Sequence, residues 1–196
     1  RVLMEAFMWR YTPQANRLLE LLDDIRPLRV IRAQFSFPEP EPGNVRLSSR
    51  LDGGALMDVG CYCVSGARLV AGSEPVAFGG AQARGGDGVD VGFAGTLRFE
   101  DDLLAHFDCA MNTANRSELE VVGAERTLVV RDPWHARAPG IELDGRRIEV
   151  PFADPYACEL EELAAVAAGE REARFGRDDA IGQARAIEAL YAAAAE

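Results

Sequence analysis

The chain starts on an almost unbroken apolar and aromatic run, RVLMEAFMWR, which reads as a strand. Thr12-Pro13 then supplies an N-cap and a first-turn proline. The leucines of QANRLLELLDDI recur at helical spacing, so about three turns of helix should follow. LRVIRAQFSF alternates apolar and polar side chains as a half-buried strand does. PEPEPGNVRLSS is too rich in proline and polar residues to be other than a loop. LDGGALMDVGCYCVSGARLVAG, residues 51–72, reads as a buried helix whose entry is loosened by Gly53-Gly54 and which Gly72 stops.

From residue 75 to about residue 150 the period changes to two. PVAFGGAQAR, VDVGFAGTLRFE, LLAHFDCAM, SELEVVGA, RTLVVRD and IELDGRRIEV read as short strands separated by Gly, Asp and Asn, the pattern of an antiparallel sheet. The glycines of GGAQARGGDG do not lie in a turn between a strand and a helix, so this stretch reads as a flexible strand connection and not as a nucleotide fingerprint. PYACELEELAAVAAG and DDAIGQARAIEALYAAAAE, rich in alanine with acidic N-termini, close the chain as helices. Helices before and after a long meander predict one α+β domain over residues 1–196: an open-faced, mostly antiparallel β-sheet with helices on one face. In LLAHFDCAM one face carries Leu103, Ala105, Phe107, Cys109 and Met111, and the other carries Leu104, His106, Asp108 and Ala110. The second face is mixed, and is therefore wet or covered by another subunit.

Composition narrows the partners. The 196 residues suffice for one substantial core, and no apolar run approaches the roughly 20 residues that cross a bilayer. The chain opens on Arg1, which reads as an internal start, and shows no secretory pattern, so the expected location is the cytoplasm. With 32 acidic against 21 basic residues the net charge is −11, which repels phosphate backbones and argues against nucleic acid as a partner. Every basic residue is arginine, which rules out a lysine Schiff base, a phosphate-loop lysine and a lysine general acid from within this chain. Cys61 and Cys63 point about 200° apart on a helix, and only His106 and His135 are available to join Cys109 and Cys158, so no metal site is expected and the thiols read as reduced.

Asp58 and Tyr62 lie at i and i+4 on the buried helix, with Ser65 on the same stripe. A phenol exchanges a proton with a substrate hydroxyl or carbonyl, and a nearby carboxylate orients it or the substrate, a pairing that suits oxidation of an alcohol. The same spacing suits a structural pair in which Asp58 bonds backbone amides or an arginine while Tyr62 packs its ring; the residues alone leave both open. Arg10, at the junction of the first run and the Thr12-capped helix, is a candidate for a substrate oxygen or for a plain ion pair. Asn112, Thr113 and Asn115 in MNTANR are candidate hydroxyl binders or turn formers, and EPEPGN is a lid or a solvated connector. His106 reads as a sheet-face residue beside Asp108 at a subunit contact, and His135 in DPWHARAPG as loop.

MEAFMWRYTPQ, then GGALMDVGCYCVSGARLVAGSEP, then LEVVGAERTLVV and DDAIGQARAIEALYAAA together resemble the C-terminal half of the glucose–fructose oxidoreductase, inositol dehydrogenase and rhizopine catabolism family. The likeness covers essentially the whole chain and is most specific at the D-x-G-x-Y helix and the E-A-F-M-x-R-Y-x-P segment. It implies an enzyme whose N-terminal Rossmann domain, absent from this chain, binds NAD or NADP. A C-terminal open sheet would shape the site for a sugar, polyol or diol and form a homodimer. In the branch of dihydrodiol and xylose dehydrogenases the resemblance implies that Tyr62 transfers the proton, that Asp58 positions the substrate, and that Arg10 stands beside the site. A lysine of an E-K-P motif, also absent here, would complete it. Arg126 replaces the glycine of the family's VVGxxG turn. The competing expectation is a non-catalytic dimerisation or binding module that has lost its nucleotide-binding half.

Overall fold

The computed structural model describes residues 2–195. Thr12 Oγ1 accepts the Ala15 N–H at 3.2 Å and starts α1 (Pro13–Leu21). The opening run differs from its expected strand; its Arg1 lies outside the described residues, and Met8–Tyr11 forms a single 3₁₀ turn. All four turn residues are buried, Trp9 edge-on to Trp134 at 5.2 Å and Tyr11 edge-on to Phe175 at 5.8 Å. A continuous apolar run signals burial on all sides without choosing between strand and turn.

β1 (Leu28–Ser36) precedes the proline-rich loop. A π-helical turn (Leu56–Gly60) then runs directly into α2 (Cys61–Ala71), which Gly72 ends with φ of 69°. Six more strands follow as β2 (Ala77–Arg84), β3 (Asp90–Arg98), β4 (Leu104–Ala110), β5 (Arg116–Gly123), β6 (Thr127–Arg131) and β7 (Gly140–Leu143). IELDGRRIEV is a hairpin, not one strand: Asp144 and Gly145, with φ of 51° and 75°, turn β7 into β8 (Arg146–Glu149). Of GGAQARGGDG only residues 85–88 form a turn; Gly80 lies inside β2, where a Cβ would come within 2.8 Å of the Phe93 ring. α3 (Pro155–Ala167), capped by Asp154, and α4 (Arg177–Ala193) complete the chain.

The eight strands form one sheet in the order β2-β3-β4-β1-β5-β6-β7-β8. β1 is inserted between β4, to which it is parallel, and β5, to which it is antiparallel, so the expected meander is split at its centre. Ile31, Phe107, Cys109, Leu119, Val121 and Leu128 face inward and are buried. α2 lies over β1, β4 and β5, with α4 over β2 and α1 against β7. The opposite face carries Arg32, Gln34, His106, Asp108, Glu118 and Glu120 in cross-strand register, joined by pairs such as Arg32 Nη1 to Glu120 at 2.9 Å. No helix among the described residues is long and apolar enough to cross a membrane.

Close approaches fix how the layers meet. A Cβ on Gly66 of α2 would lie 2.9 Å from the Trp134 ring, so glycine lets the indole lie against the helix. A Cβ on Gly123 would lie 1.7 Å from the Ile25 carbonyl oxygen, and neither backbone has room to yield. Gly123→Ala is therefore expected to destabilise the fold by about 3 kcal/mol, read as a lower urea midpoint. An unchanged midpoint would mean that the segment around Ile25 does not dock on β5 as described.

Candidate functional site

Asp58 lies inside the π-helical turn and Tyr62 in the first turn of α2. A Cβ on Gly60 would meet Cys109 Sγ at 2.7 Å, so the wide turn is seated where the helix presses closest on β4. Such turns are uncommon and are frequently found at functional sites. Asp58 and Tyr62 both line one cavity of about 370 Å³, shared with Met8, Phe35, Arg46, Asn115, His135, Arg137 and Tyr156.

Asp58 Oδ2 accepts the Arg46 Nε–H at 2.7 Å. Arg46 comes from the proline-rich loop, where its backbone N–H donates to Asn44 Oδ1 at 3.0 Å; the loop thus forms a wall of the cavity. Asp58 Oδ1 has no hydrogen-bond partner among the described residues, so one carboxylate oxygen is left to accept from a ligand. The Tyr62 ring packs edge-on to Phe7 at 5.1 Å and Phe35 at 5.5 Å. Its hydroxyl donates only to Met8 Sδ at 3.8 Å, a weak acceptor. Burial pushes the phenol up to about 12, with Cys61, Tyr156, Asp58 and Glu159 adding to the shift, so at neutral pH it carries its proton.

The other sequence candidates divide. Asn115 lines the same cavity, whereas Asn112 is exposed at the end of β4 and does not reach it. Arg10 is not brought there either. It is 2% exposed, donates from Nε to Ser65 Oγ at 2.8 Å, pairs through Nη1 with Asp179, and is sandwiched between Phe7 and Phe175 at 4.6 and 4.8 Å. Arg10 and Ser65 border a second cavity, of about 550 Å³, with Arg68, Asp179 and Arg185. Ser65 therefore leaves the Asp58–Tyr62 stripe by one turn. Arg46, His135, Arg137 and Tyr156 are cavity residues that the pattern of the chain does not single out. The available signals were a cation twelve residues before Asp58, and a histidine and an arginine following a tryptophan in one short turn.

A third cavity, of about 660 Å³, lies on the far side of the helix entry and includes Glu5, Met57, Cys61, Gln183 and Tyr191. Glu5 Oε2 is buried there without a partner, and burial above all raises the carboxyl from its ordinary value. All four cysteines are free thiols; burial pushes Cys61 up to about 12, which leaves it a poor nucleophile. No group of three or more His, Cys, Asp or Glu side chains placed to hold a metal ion occurs among the described residues.

Comparison with known proteins identifies the fold and the family. The D-xylose 1-dehydrogenase (NADP(+)) 2 of Haloferax volcanii is 31% identical over 202 residues, covering 98% of this chain and 62% of its own length. A 3-ketoreductase from Actinomadura kijaniata, solved in complex with NADP and TDP-benzene, superposes with a TM-score of 0.89 at 25% identity, over 98% of this chain and 62% of that one. The aldose-aldose oxidoreductase from Caulobacter crescentus, complexed with glycerol, shares the fold with a TM-score of 0.91 at 24% identity, over all of this chain and 62% of that one. The chain thus spans less than two thirds of the length of these relatives. Residues 23–129 match the GFO/IDH/MocA C-terminal domain, and with the xylose dehydrogenase likeness running along nearly the whole chain, the protein belongs to that family.

Proposed function

We propose that this chain is the substrate-binding and proton-handling part of an NAD(P)-dependent oxidoreductase that acts on a hydroxyl of a sugar, cyclic polyol or diol. The observation that supports the reading is that Tyr62 and Asp58, whose Oδ1 has no partner among the described residues, line one cavity of about 370 Å³, of a size for a single small molecule. The relatives named as an NADP-dependent xylose dehydrogenase and as a ketoreductase bound to NADP favour a sugar-like substrate and that cofactor.

Among the described residues no glycine-rich turn leads directly from a strand into a helix N-terminus, the arrangement that cradles a dinucleotide in a Rossmann fold. When bound by the whole protein, the nicotinamide supplies or accepts the hydride. The residues here do the rest. In the reductive direction Tyr62, protonated at neutral pH, donates its proton to the carbonyl oxygen. In the oxidative direction it must first ionise, which a cation outside this lysine-free chain would favour. Asp58 Oδ1 accepts from a neighbouring substrate hydroxyl, and Arg46 holds the carboxylate in that orientation. Asn115 offers a further polar contact at the rim, while Arg10 acts at a distance by tying the Met8 turn to α4 through Asp179. The four free thiols suit a reducing cytoplasm.

The uncovered face of the sheet favours a homodimer. Half-exposed Leu104 lies there beside Val30, Arg98 and His106 around a hollow of about 570 Å³.

Three outcomes test this reading. In the full-length protein assayed with D-xylose and either nicotinamide cofactor, Tyr62→Phe is expected to lower kcat by roughly 10²–10³-fold with an unchanged unfolding midpoint, and near-normal turnover would overturn the assignment. Ultraviolet difference titration of this chain against Tyr62→Phe should place the phenol's ionisation near pH 12, and a midpoint at its ordinary 10 would contradict its burial. Leu104→Asp should convert the dimer to monomers in sedimentation equilibrium, whereas an unaltered dimer would move the interface elsewhere.

A further inference from the structure

We infer that His135 is a substrate-contact residue of the Tyr62 cavity, an imidazole fixed on a pinned turn with Asp132 beside its Nδ1, whose second nitrogen accepts from a second substrate hydroxyl and selects polyhydroxylated substrates over singly functional ones. The inference rests on the substrate site proposed above.

The turn that carries His135 is pinned from several directions. Its backbone is closed by the Asp132 N–H donating to the Ser117 carbonyl at 3.1 Å and by the Ala136 N–H donating to the Asp132 carbonyl at 2.9 Å. The Asp132 carboxylate accepts from Ser117 Oγ at 3.2 Å and from the Arg137 N–H at 3.0 Å. Trp134, fully buried, donates its indole N–H to the Gln34 carbonyl at 3.0 Å. Asp132 and Ala136 hold φ of 46° and 49°. A left-handed alanine is a strained conformation that persists only where its surroundings over-determine it, and such strain concentrates at functional positions.

On this rigid turn the imidazole sits about one third exposed, at the cavity wall, with its ring perpendicular to Phe35 at 5.5 Å. Tyr62 stands perpendicular to the same Phe35 ring at 5.5 Å, so the two polar groups flank one aromatic surface. His135 Nδ1 lies 3.6 Å from Asp132 Oδ1. Burial works against ionisation of Asp132, but the nearby His135 imidazole and the hydrogen bonds from the Arg137 N–H and Ser117 Oγ outweigh it and hold the carboxyl below its usual range. A carboxylate at Nδ1 favours the tautomer with its proton there, which leaves Nε2 as an acceptor. Nε2 has no hydrogen-bond partner among the described residues. His106, the only other histidine of the chain, is different: it lies on the opposite sheet face and its Nε2 accepts from Arg32 Nε at 3.2 Å.

A site built to hydrogen-bond a hydroxyl rejects the analogue that lacks it, because its own polar group is then left unpaired. The inference predicts that discrimination at His135, with Asp132 as a positioning residue behind it. The test is nitrogen NMR of the imidazoles in the full-length protein, His135 being assigned by the signal lost in His135→Asn. Adding D-xylose or trans-cyclohexane-1,2-diol is expected to shift His135 Nε2 and leave His106 unmoved. Asp132→Asn should alter the tautomer signature of His135, which a merely structural role would not do. His135→Phe should raise KM for D-xylose about tenfold while lowering kcat less, and should narrow the preference for the diol over cyclohexanol. A shift at His135 without turnover supports this contact while the oxidoreductase reading fails. Turnover without a shift at His135 overturns this inference and leaves the oxidoreductase reading standing, and silence of His135 towards both probes overturns it in every case.

Discussion

The seating of one helix on the sheet depends on a buried carboxylate. Asp90, the first residue of β3 and 3% exposed, accepts the Leu56 N–H through Oδ2 at 2.7 Å and the Tyr191 hydroxyl through Oδ1 at 3.0 Å. It satisfies an otherwise orphaned donor at the entry to the π-helical turn and α2, and places negative charge where the helix dipole favours it. Through Tyr191 it also ties in α4. Gly54, with φ of 133°, is required at this joint, since a Cβ there would come within 2.2 Å of Asp90 Oδ1. The height and rotation of the helix are thereby set, and with them which side chains face the sheet. Cys63, Val64 and Ala67 go into the core, and Asp58 and Tyr62 turn to the cavity.

The second wall of that cavity is held by the same helix. Trp134 rests on Gly66 of α2 and donates to Gln34 of β1, so the position of β1 at the centre of the sheet decides where the 132–137 turn lies. Phe35, next along β1, packs perpendicular to both Tyr62 and His135. The insertion of β1 between β4 and β5 is therefore what brings a helix residue and a loop residue, 73 positions apart, to one aromatic surface.

Much of this architecture is legible in the chain because local chemistry and burial agree. Thr12-Pro13 starts a helix, Gly72 ends one, and the period-two stretch of LLAHFDCAM sorts Phe107 from His106 as the fold does. Asp58 and Tyr62 were legible as a pair because helical spacing alone puts them together. Illegibility begins where long-range packing decides. Met8–Tyr11 is a turn because aromatic neighbours from the 132–137 turn and from Phe175 close around it. Asp144-Gly145 marked a hairpin, but flanking stretches of only four residues read as one strand. His135 and Arg46 reach the cavity from loops whose course is set by Trp134 and by the Asp58 ion pair, neither of which leaves a periodic trace.

The electrostatics of the cavity define what this chain contributes to chemistry. The Arg46–Asp58 pair is partly exposed, so it adds little to stability, and its effect is orientation: one carboxylate oxygen is taken and the other presented. Burial dominates the raised phenol, with Asp58 one of several smaller causes after Cys61 and Tyr156. A neutral phenol beside an oriented acceptor is a proton donor that can discriminate hydroxyl positions, and it is a poor base. Arg46 and Arg10 are held in ion pairs at Asp58 and Asp179, and burial, Cys61, Tyr156, Asp58 and Glu159 all push the phenol upward. In the proposed reading, substrate orientation and proton donation arise within this fold, and running Tyr62 in the oxidative direction calls for a cation closer to the phenol than the paired Arg46.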